Sequence, residues 1–451
     1  MTVRLQVAMM GTAAVSLALA GPVLAQPNAA PRIAPAAPVI APVHAADAQA
    51  NVPVVQPVLL PEPQMPWSIA SARSLLAVIE GIAAEGLMPE DYQLTELRAA
   101  IADGEGLALD TVASQAFSWL AEDLRDGRTP MTARLQWFAV DPDQDKMPTS
   151  TLMRQALDTG DVAGVLASLA PSHPDYKVLK AALASTPDSA KTRRAQIRAN
   201  MDRWRWLARD LGSAYLITNV PEFQLRLTVN DKIIRTYRTV VGKPGRTATP
   251  QLAETVSAVV FNPTWTVPQS IVVGEGLGAQ LLRNPARARA QGYKATRNAD
   301  GTITVVQQPG DNNALGRMKI DMPNPHAIYL HDTPSKQYFN HPVRAYSHGC
   351  IRTERAVELG MTMAILGAGL TPEQGVQHSL SGKYTKVAMT RTFPVYITYF
   401  TTGVDINGKL STFADIYNRD APVLASFNQP RQPKTTQRTS NEEIIKLDNP
   451  L

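Results

Sequence analysis

Cysteine is nearly absent from this 451-residue sequence: Cys350 stands alone. A single thiol excludes an intrachain disulfide framework and any zinc site built on several cysteines. Beyond the N-terminus no stretch is apolar enough to span a bilayer. No run of Lys or Arg stands out, and 44 basic against 39 acidic residues leave a net charge of only +5. Nucleic-acid binding is therefore not expected. There are no internal repeats. What is present is a hydrophobic content of 44%, enough for proper cores. The length suits two folded units with flexible ends.

Arg4 precedes an apolar run from Val7 to Leu19, followed by Gly21-Pro22 and the small-residue site Val23-Leu24-Ala25. This pattern predicts a secretory signal peptide over 1–25. The run is short for a membrane span, and no cysteine follows the cleavage site to carry a lipid. No stable membrane anchor is expected after cleavage. Residues 26–66 are rich in Pro and Ala and read as an extended linker.

Helical spacing begins at Trp67. Leu75, Val78, Ile79 and Ile82 make one face, and Val112, Ala116, Trp119, Leu120 and Leu124 another. Trp119 and Trp137 suit a core better than a carbohydrate platform. A basic helix is expected over 188–211, with Arg193, Arg194, Arg198, Arg203 and Arg209 as a solvated face or a track for an anionic glycan. After Gly212 the period changes to two, and strands recur to Phe400, the last of them expected over 387–400. The fold class is thus α+β, an all-helical domain (67–211) followed by a mainly β domain (212–425). The polar stretch 272–300 is a candidate cap, and 426–451 is expected to be disordered.

The chemistry gathers between His331 and Arg352. Cys350 follows Ser347-His348-Gly349. A glycine before a nucleophile lets backbone approach a substrate carbonyl, and N–H groups there can hold an oxyanion. A thiol needs a base or positive charge to attack. His331, at the end of an expected strand, is the candidate base. Arg352 supplies charge and can bind a carboxylate. His348 shares a face with Cys350 on an extended chain, as a site-lining or a structural histidine. His341 falls in an expected loop. A zinc site from His331, His348 and Cys350 has no familiar ligand spacing. A buried, inert Cys350 in a non-catalytic envelope scaffold is the competing reading.

His331, fifteen residues, then Ser347-His348-Gly349-Cys350 resembles the signature of the L,D-transpeptidase catalytic domain of bacterial cell-wall enzymes. Asn262 to Pro268, Pro309 to Gly316 and Tyr329 to Pro334 resemble the large periplasmic branch of that family, and Glu85-Gly86-Leu87 with Asp91-Tyr92 resembles its scaffold domain. The resemblance covers about 67–425. It implies that Cys350 forms a thioester with a tetrapeptide stem, releasing D-Ala, and that a diaminopimelate amine of a second stem takes the acyl group in a 3→3 cross-link. His331 is the implied base, oriented by the backbone carbonyl of Asp332. Ser347, His348 and Gly349 belong to the implied oxyanion region, and Arg352, Trp265 and Tyr329 to substrate binding. No cofactor, ATP or metal is implied. The resemblance also implies a periplasmic location and inactivation by carbapenems. Water or a protein lysine as acceptor would make the same fold an L,D-carboxypeptidase or a protein-anchoring enzyme. One departure is plain: 128–185 is too short, and lacks the glycine spacing, for the peptidoglycan-binding module that such chains often carry.

Overall fold

The computed structural model describes residues 56–442; the expected signal peptide, most of the expected linker and the last nine residues lie outside that span. Helices α1 (Ile69–Gly81), α2 (Leu94–Asp103) and α3 (Leu107–Asp126) bury the apolar faces that their spacing predicts, with Leu75, Ile79, Leu97, Phe117 and Leu120 inaccessible to solvent. The Ser68 hydroxyl starts α1 by accepting from the Ser71 N–H at 3.1 Å. α3 stops at Gly127 (φ +85°), where a Cβ would lie 2.6 Å from the Trp206 indole, so the turn needs glycine for conformation and for room. Short helices α4 (Asp143–Lys146), α5 (Thr149–Thr159), α6 (Val162–Ala167) and α7 (Pro174–Ser185) lead to α8 (Lys191–Trp204).

The basic helix departs in part from expectation. α8 is shorter than predicted, and Arg203 near its end is buried where a solvated face was expected. Arg203 is buried and pairs with Asp420 at 2.6 Å. Arg205, just past the helix, is buried against Asp202, the Tyr176 hydroxyl and the Glu85 carbonyl. Arg203 fastens the helical part to the β part, while Arg205 ties α8 to Glu85 and Tyr176 within the helical part, because a buried guanidinium must find acceptors for its donors.

The β part holds an 11-stranded mixed sheet. Its strands are β1 (Ala214–Asn219), β2 (Gln224–Val229), β3 (Lys232–Gly242), β4 (Leu252–Thr255) and β5 (Ala258–Phe261), followed after an insertion by β9 (Met318–Asp321), β10 (Leu330–His331), β11 (Ala345–Ser347), β12 (Ile351–Thr353), β13 (Thr385–Ala388) and β14 (Pro394–Thr398). The order is β13-β5-β9-β10-β12-β3-β2-β1-β14-β4, with β11 also on β3. The single strand expected over 387–400 is therefore two, β13 on β5 and β14 between β1 and β4. Pro394, without an N–H to donate, opens the second. Helices α12 (Ala356–Ala368) and α13 (Pro372–Leu380) follow β12, and Leu359, Met363 and Ala364 of α12 join the sheet's core.

The insertion contains the stretch 272–300, the candidate cap, but is longer, built as β6 (Trp265–Thr266), helices α9 (Gln269–Gly274), α10 (Leu277–Arg283) and α11 (Pro285–Ala290), β7 (Tyr293–Arg297) and β8 (Ile303–Gln307), and is called the cap below. Its three strands pair as a separate sheet in the order β6-β8-β7 over a small core of Val267, Val272, Leu281, Ala288 and Val305. Asn313 closes its base: the buried amide donates to the carbonyls of Pro263 (3.0 Å) and Gln308 (2.9 Å), one on each side of the insertion.

A hairpin of β15 (Thr402–Val404) and β16 (Leu410–Thr412) and a last helix α14 (Asp420–Ser426) complete the fold. Beyond them the expected disorder is not found: 427–442 runs back over the helical part. Arg431 is buried between Glu122 (2.7 Å) and Asp123 (3.0 Å), and the Leu60 N–H donates to the Lys434 carbonyl. Ion pairing, invisible to a hydropathy count, orders this polar segment. The stretch before α1, expected as linker, is held as well: Leu60 bonds to Lys434, Glu62 accepts from the Trp119 indole N–H, and the Met65 N–H donates to Ser114.

Candidate active site

Leu330 of β10 faces Ile351 of β12 in a parallel register, and both are fully buried in the core. Side chains alternate along a strand, so their neighbours Tyr329, His331, Cys350 and Arg352 project together from the other face. The Ile351 N–H, donating to the Tyr329 carbonyl at 3.1 Å, extends the ladder by one residue. On the far side of β10, Lys319 of β9 lies directly opposite His331. Three adjacent strands thus bring the expected base, nucleophile and arginine together with a lysine that the sequence did not single out.

Cys350 is partly buried. Its thiol donates to the Ala327 carbonyl at 3.6 Å. The Tyr329 backbone N–H and hydroxyl lie near the sulfur, and the Trp265 side chain of the cap lies near the same hydroxyl. Burial pushes the thiol above its ordinary value; Tyr329, Lys319 and Arg352 oppose that rise without cancelling it. The Tyr329 hydroxyl, buried beside the sulfur, is held well above the usual phenol range and stays a donor. Tyr329, expected to bind substrate, therefore lies beside the nucleophile, and Trp265 lies beside Tyr329.

His331 is buried, and its Nδ1 lies 2.5 Å from the Asp332 backbone carbonyl. A carbonyl only accepts, so Nδ1 carries the proton and Nε2 keeps its lone pair. Burial, then the positive charges of Arg352, Lys319 and Lys336, lower the imidazole to about 3. It is neutral at any physiological pH. The Asp332 carboxylate turns elsewhere, accepting from the Arg317 N–H (3.0 Å) and pairing with Lys336. Only its backbone carbonyl contacts the ring.

The turn before the nucleophile departs from expectation. The Ser347 hydroxyl is buried and spent inside the turn: it donates to the Cys350 carbonyl (2.6 Å) and accepts from the Gly349 N–H (3.2 Å). Ser347 does not line the site, and the Gly349 N–H is already engaged. Among the described residues no acceptor takes the Cys350 N–H, which leaves it as the backbone donor beside the sulfur. Gly349 has φ +117°, and a Cβ there would lie 3.1 Å from Ile328. Its carbonyl accepts from the buried Thr249 hydroxyl at 2.8 Å. His348 is exposed; partial burial, then Lys243 and Arg352, lower its imidazole. His341, also exposed, places Nδ1 2.9 Å from the Tyr346 hydroxyl. Tyr346 stacks on Tyr338 with centroids 4.9 Å apart, and the Arg352 guanidinium lies 5.8 Å from the Tyr338 ring centre. The buried Nε of Arg352 has no protein partner.

Two groups went unnoticed in the sequence. The Lys319 ammonium sits 4.3 Å from the Tyr329 ring centre and 3.0 Å from Asp321. Asn324 braces the loop that presents the Ala327 carbonyl, donating to Met322 and Ile328 (both 2.7 Å) and accepting from two N–H groups. Ala327 itself sits at φ +52°, a conformation that costs a non-glycine residue about 1 kcal/mol or more. Asn324-Pro325 is a turn signal that marks this loop; Lys319 has no local signal, since only strand pairing brings it to His331.

Residues 213–360 match the family model of the L,D-transpeptidase catalytic domain (YkuD), and residues 64–183 match that of the Scaffold domain. A Haemophilus influenzae protein named "Putative L,D-transpeptidase" is 26% identical over 381 residues, covering 80% of this chain and 76% of its own. Among solved structures, an L,D-transpeptidase from Mycobacterium smegmatis is 14% identical with a TM-score of 0.21, and L,D-transpeptidase 3 from Mycobacterium tuberculosis 10% identical with a TM-score of 0.22. Each match covers 41% of this chain, and 58% and 61% of those chains.

Proposed function

The chain is a member of the L,D-transpeptidase family, and from that premise we propose that it cross-links peptidoglycan stems in the periplasm through a thioester on Cys350. In the first half-reaction the Cys350 sulfur attacks the carbonyl at the L-centre of diaminopimelate in a tetrapeptide stem. His331 Nε2 takes the thiol proton as the S–C bond forms. The resulting oxyanion is met by the Cys350 N–H and the Tyr329 hydroxyl. Collapse breaks the C–N bond, and the same imidazole returns its proton to the departing D-Ala amine. In the second half-reaction the side-chain amine of another stem attacks the thioester and restores the thiol. One amide is exchanged for another, so the donor bond supplies the driving force.

The observation that carries this reading is the neutral His331, its Nδ1–H fixed on the Asp332 carbonyl, on the same sheet face as Cys350. A neutral imidazole beside a protonated thiol can act as a general base when the substrate arrives. An imidazolium could not. The unpartnered Arg352 Nε and the Lys319 ammonium flank the base and suit the stem's carboxylates. Purified protein incubated with tetrapeptide muropeptides is expected to yield cross-linked dimers and free D-Ala, with neither from Cys350→Ala. Monomeric tripeptides as the main product would replace the cross-linking reading by a hydrolytic one. No product from folded protein would sink both.

A further inference from the structure

The cap carries a group of exposed cations. Between Arg283 and Arg297 it presents five cations, Arg283, Arg287, Arg289, Lys294 and Arg297, all exposed. Across the whole cap, 265–308, only Glu275 and Asp300 oppose them. The cap thus supplies three of the five net positive charges of the entire chain. Elsewhere arginines are typically paired: Arg125 with Asp126, Arg128 with Asp91, Arg226 with Glu222. Among the described residues none of the five cap cations forms an ion pair, and their hydrogen bonds are confined to the carbonyls of Ala279 and Gly301.

The place of this surface matters as much as its charge. The cap's first strand holds Trp265, which lies near the Tyr329 hydroxyl beside Cys350. Ala288 and Leu281 point into the cap's core, so the arginines that flank them point away from it. The cations lie on α10, α11 and β7, and β8 separates β7 from the strand that holds Trp265.

We propose that the outward surface of the cap holds the anionic stem peptides of polymeric peptidoglycan next to those being joined. The inference rests on the substrate proposed above and adds where the polymer is gripped. A diaminopimelate stem bears more carboxylates than amines, so a row of stems is a negatively charged polymer. Arginine pairs with carboxylates in a planar, two-pronged fashion that lysine cannot reproduce. Several weak contacts on one polymer raise its effective concentration at Cys350 without a dedicated binding module. Since 128–185 lacks the pattern of a peptidoglycan-binding module, charge on the cap takes over part of that task.

The test uses the full chain with Cys350→Ala, so that no turnover is needed and failure of the catalytic proposal leaves it readable. Its sedimentation with purified sacculi is measured across ionic strength and compared with a second protein that also carries Arg283→Gln, Arg287→Gln, Arg289→Gln, Lys294→Gln and Arg297→Gln. The parent is expected to bind in a salt-sensitive manner. The charge variant is expected to bind about tenfold more weakly, with that sensitivity largely lost. Sacculi whose carboxyls have been converted to methylamides are expected to lose the parent too. A thermal midpoint equal to the parent's would establish that the variant is folded. If it is not, single and double substitutions of the same exposed positions replace it. Equal binding by parent and folded variant would overturn the proposal, as would undiminished binding to methylamidated sacculi. Binding to anionic phospholipid vesicles in preference to sacculi would overturn it in favour of a membrane partner.

Discussion

Burial is the largest influence on His331, and three nearby cations add to it. With the imidazole at about 3 and the thiol raised, the resting pair is neutral on both sides. Acylation of Cys350 by a carbapenem is therefore expected to proceed at a level rate from about pH 5 to about pH 8. An acid limb centred near the ordinary imidazole value of about 6.5 would contradict this charge state. Lys319 acts on the sulfur through Tyr329, whose ring it covers and whose hydroxyl lies near Cys350. Lys319→Met is expected to slow acylation about tenfold and move the alkaline rise in rate to higher pH, while Lys319→Arg retains most of the rate. A rate lost equally in both variants, with an unmoved pH profile, would mark Lys319 as merely structural.

At the level of elements, β10 and the motif that leads into β12 were legible, while β12 itself and its surroundings were not. The run ending in His331 and the Ser347–Cys350 turn are contiguous motifs, so their order and spacing survive in one dimension. Lys319 reaches the site only through the β9–β10 register, and Ser347 withdraws from it only because its hydroxyl finds two backbone partners within the turn. Neither follows from residue type. The cap was visible as a polar insertion, but its clasp was not: Asn313 makes long-range bonds to Pro263 that no local pattern encodes. Removing this buried amide leaves carbonyls unpaired at a cost of about 1–3 kcal/mol. Asn313→Ala is expected to speed amide exchange in 265–308 while that of β1 and β2 is unchanged. Uniform protection across the cap in the variant would show that the clasp does not hold it.

Across the whole molecule, buried ion pairs join parts that the composition suggested were separate. Hydropathy marks cores well, and the helical and β halves were readable from it. It is blind to the charged joints. Arg431, from a segment expected to be disordered, has Glu122 and Asp123 as its partners inside the helical part. Arg431→Ala leaves two carboxylates buried without it and is expected to lower unfolding stability by about 3–5 kcal/mol. A change under about 0.5 kcal/mol, in the range of surface substitutions, would show that the strap is not anchored there. Asp202, buried within the helical part, carries a pH dependence of its own. Burial alone would raise its carboxyl, but Arg205, Arg134 and hydrogen bonds from Thr129 and the Arg128 N–H hold it at about 2. A depressed carboxylate stabilises the fold above its unfolded value near 4, and that contribution fades as pH falls through about 2. The shift corresponds to roughly 2 kcal/mol. Asp202→Asn is expected to flatten the acid limb of stability by that amount. An unchanged acid limb would assign the dependence to other groups.

The central claim is that Cys350 carries the acyl group. Rapid quenching of the enzyme with a tetrapeptide muropeptide, followed by intact mass and peptide mapping, tests it most directly. The account predicts an adduct equal to the donor less D-Ala, located on Cys350 and absent from Cys350→Ala, appearing together with free D-Ala. Release of D-Ala by Cys350→Ala at the native rate, with no covalent species in either protein, would contradict it.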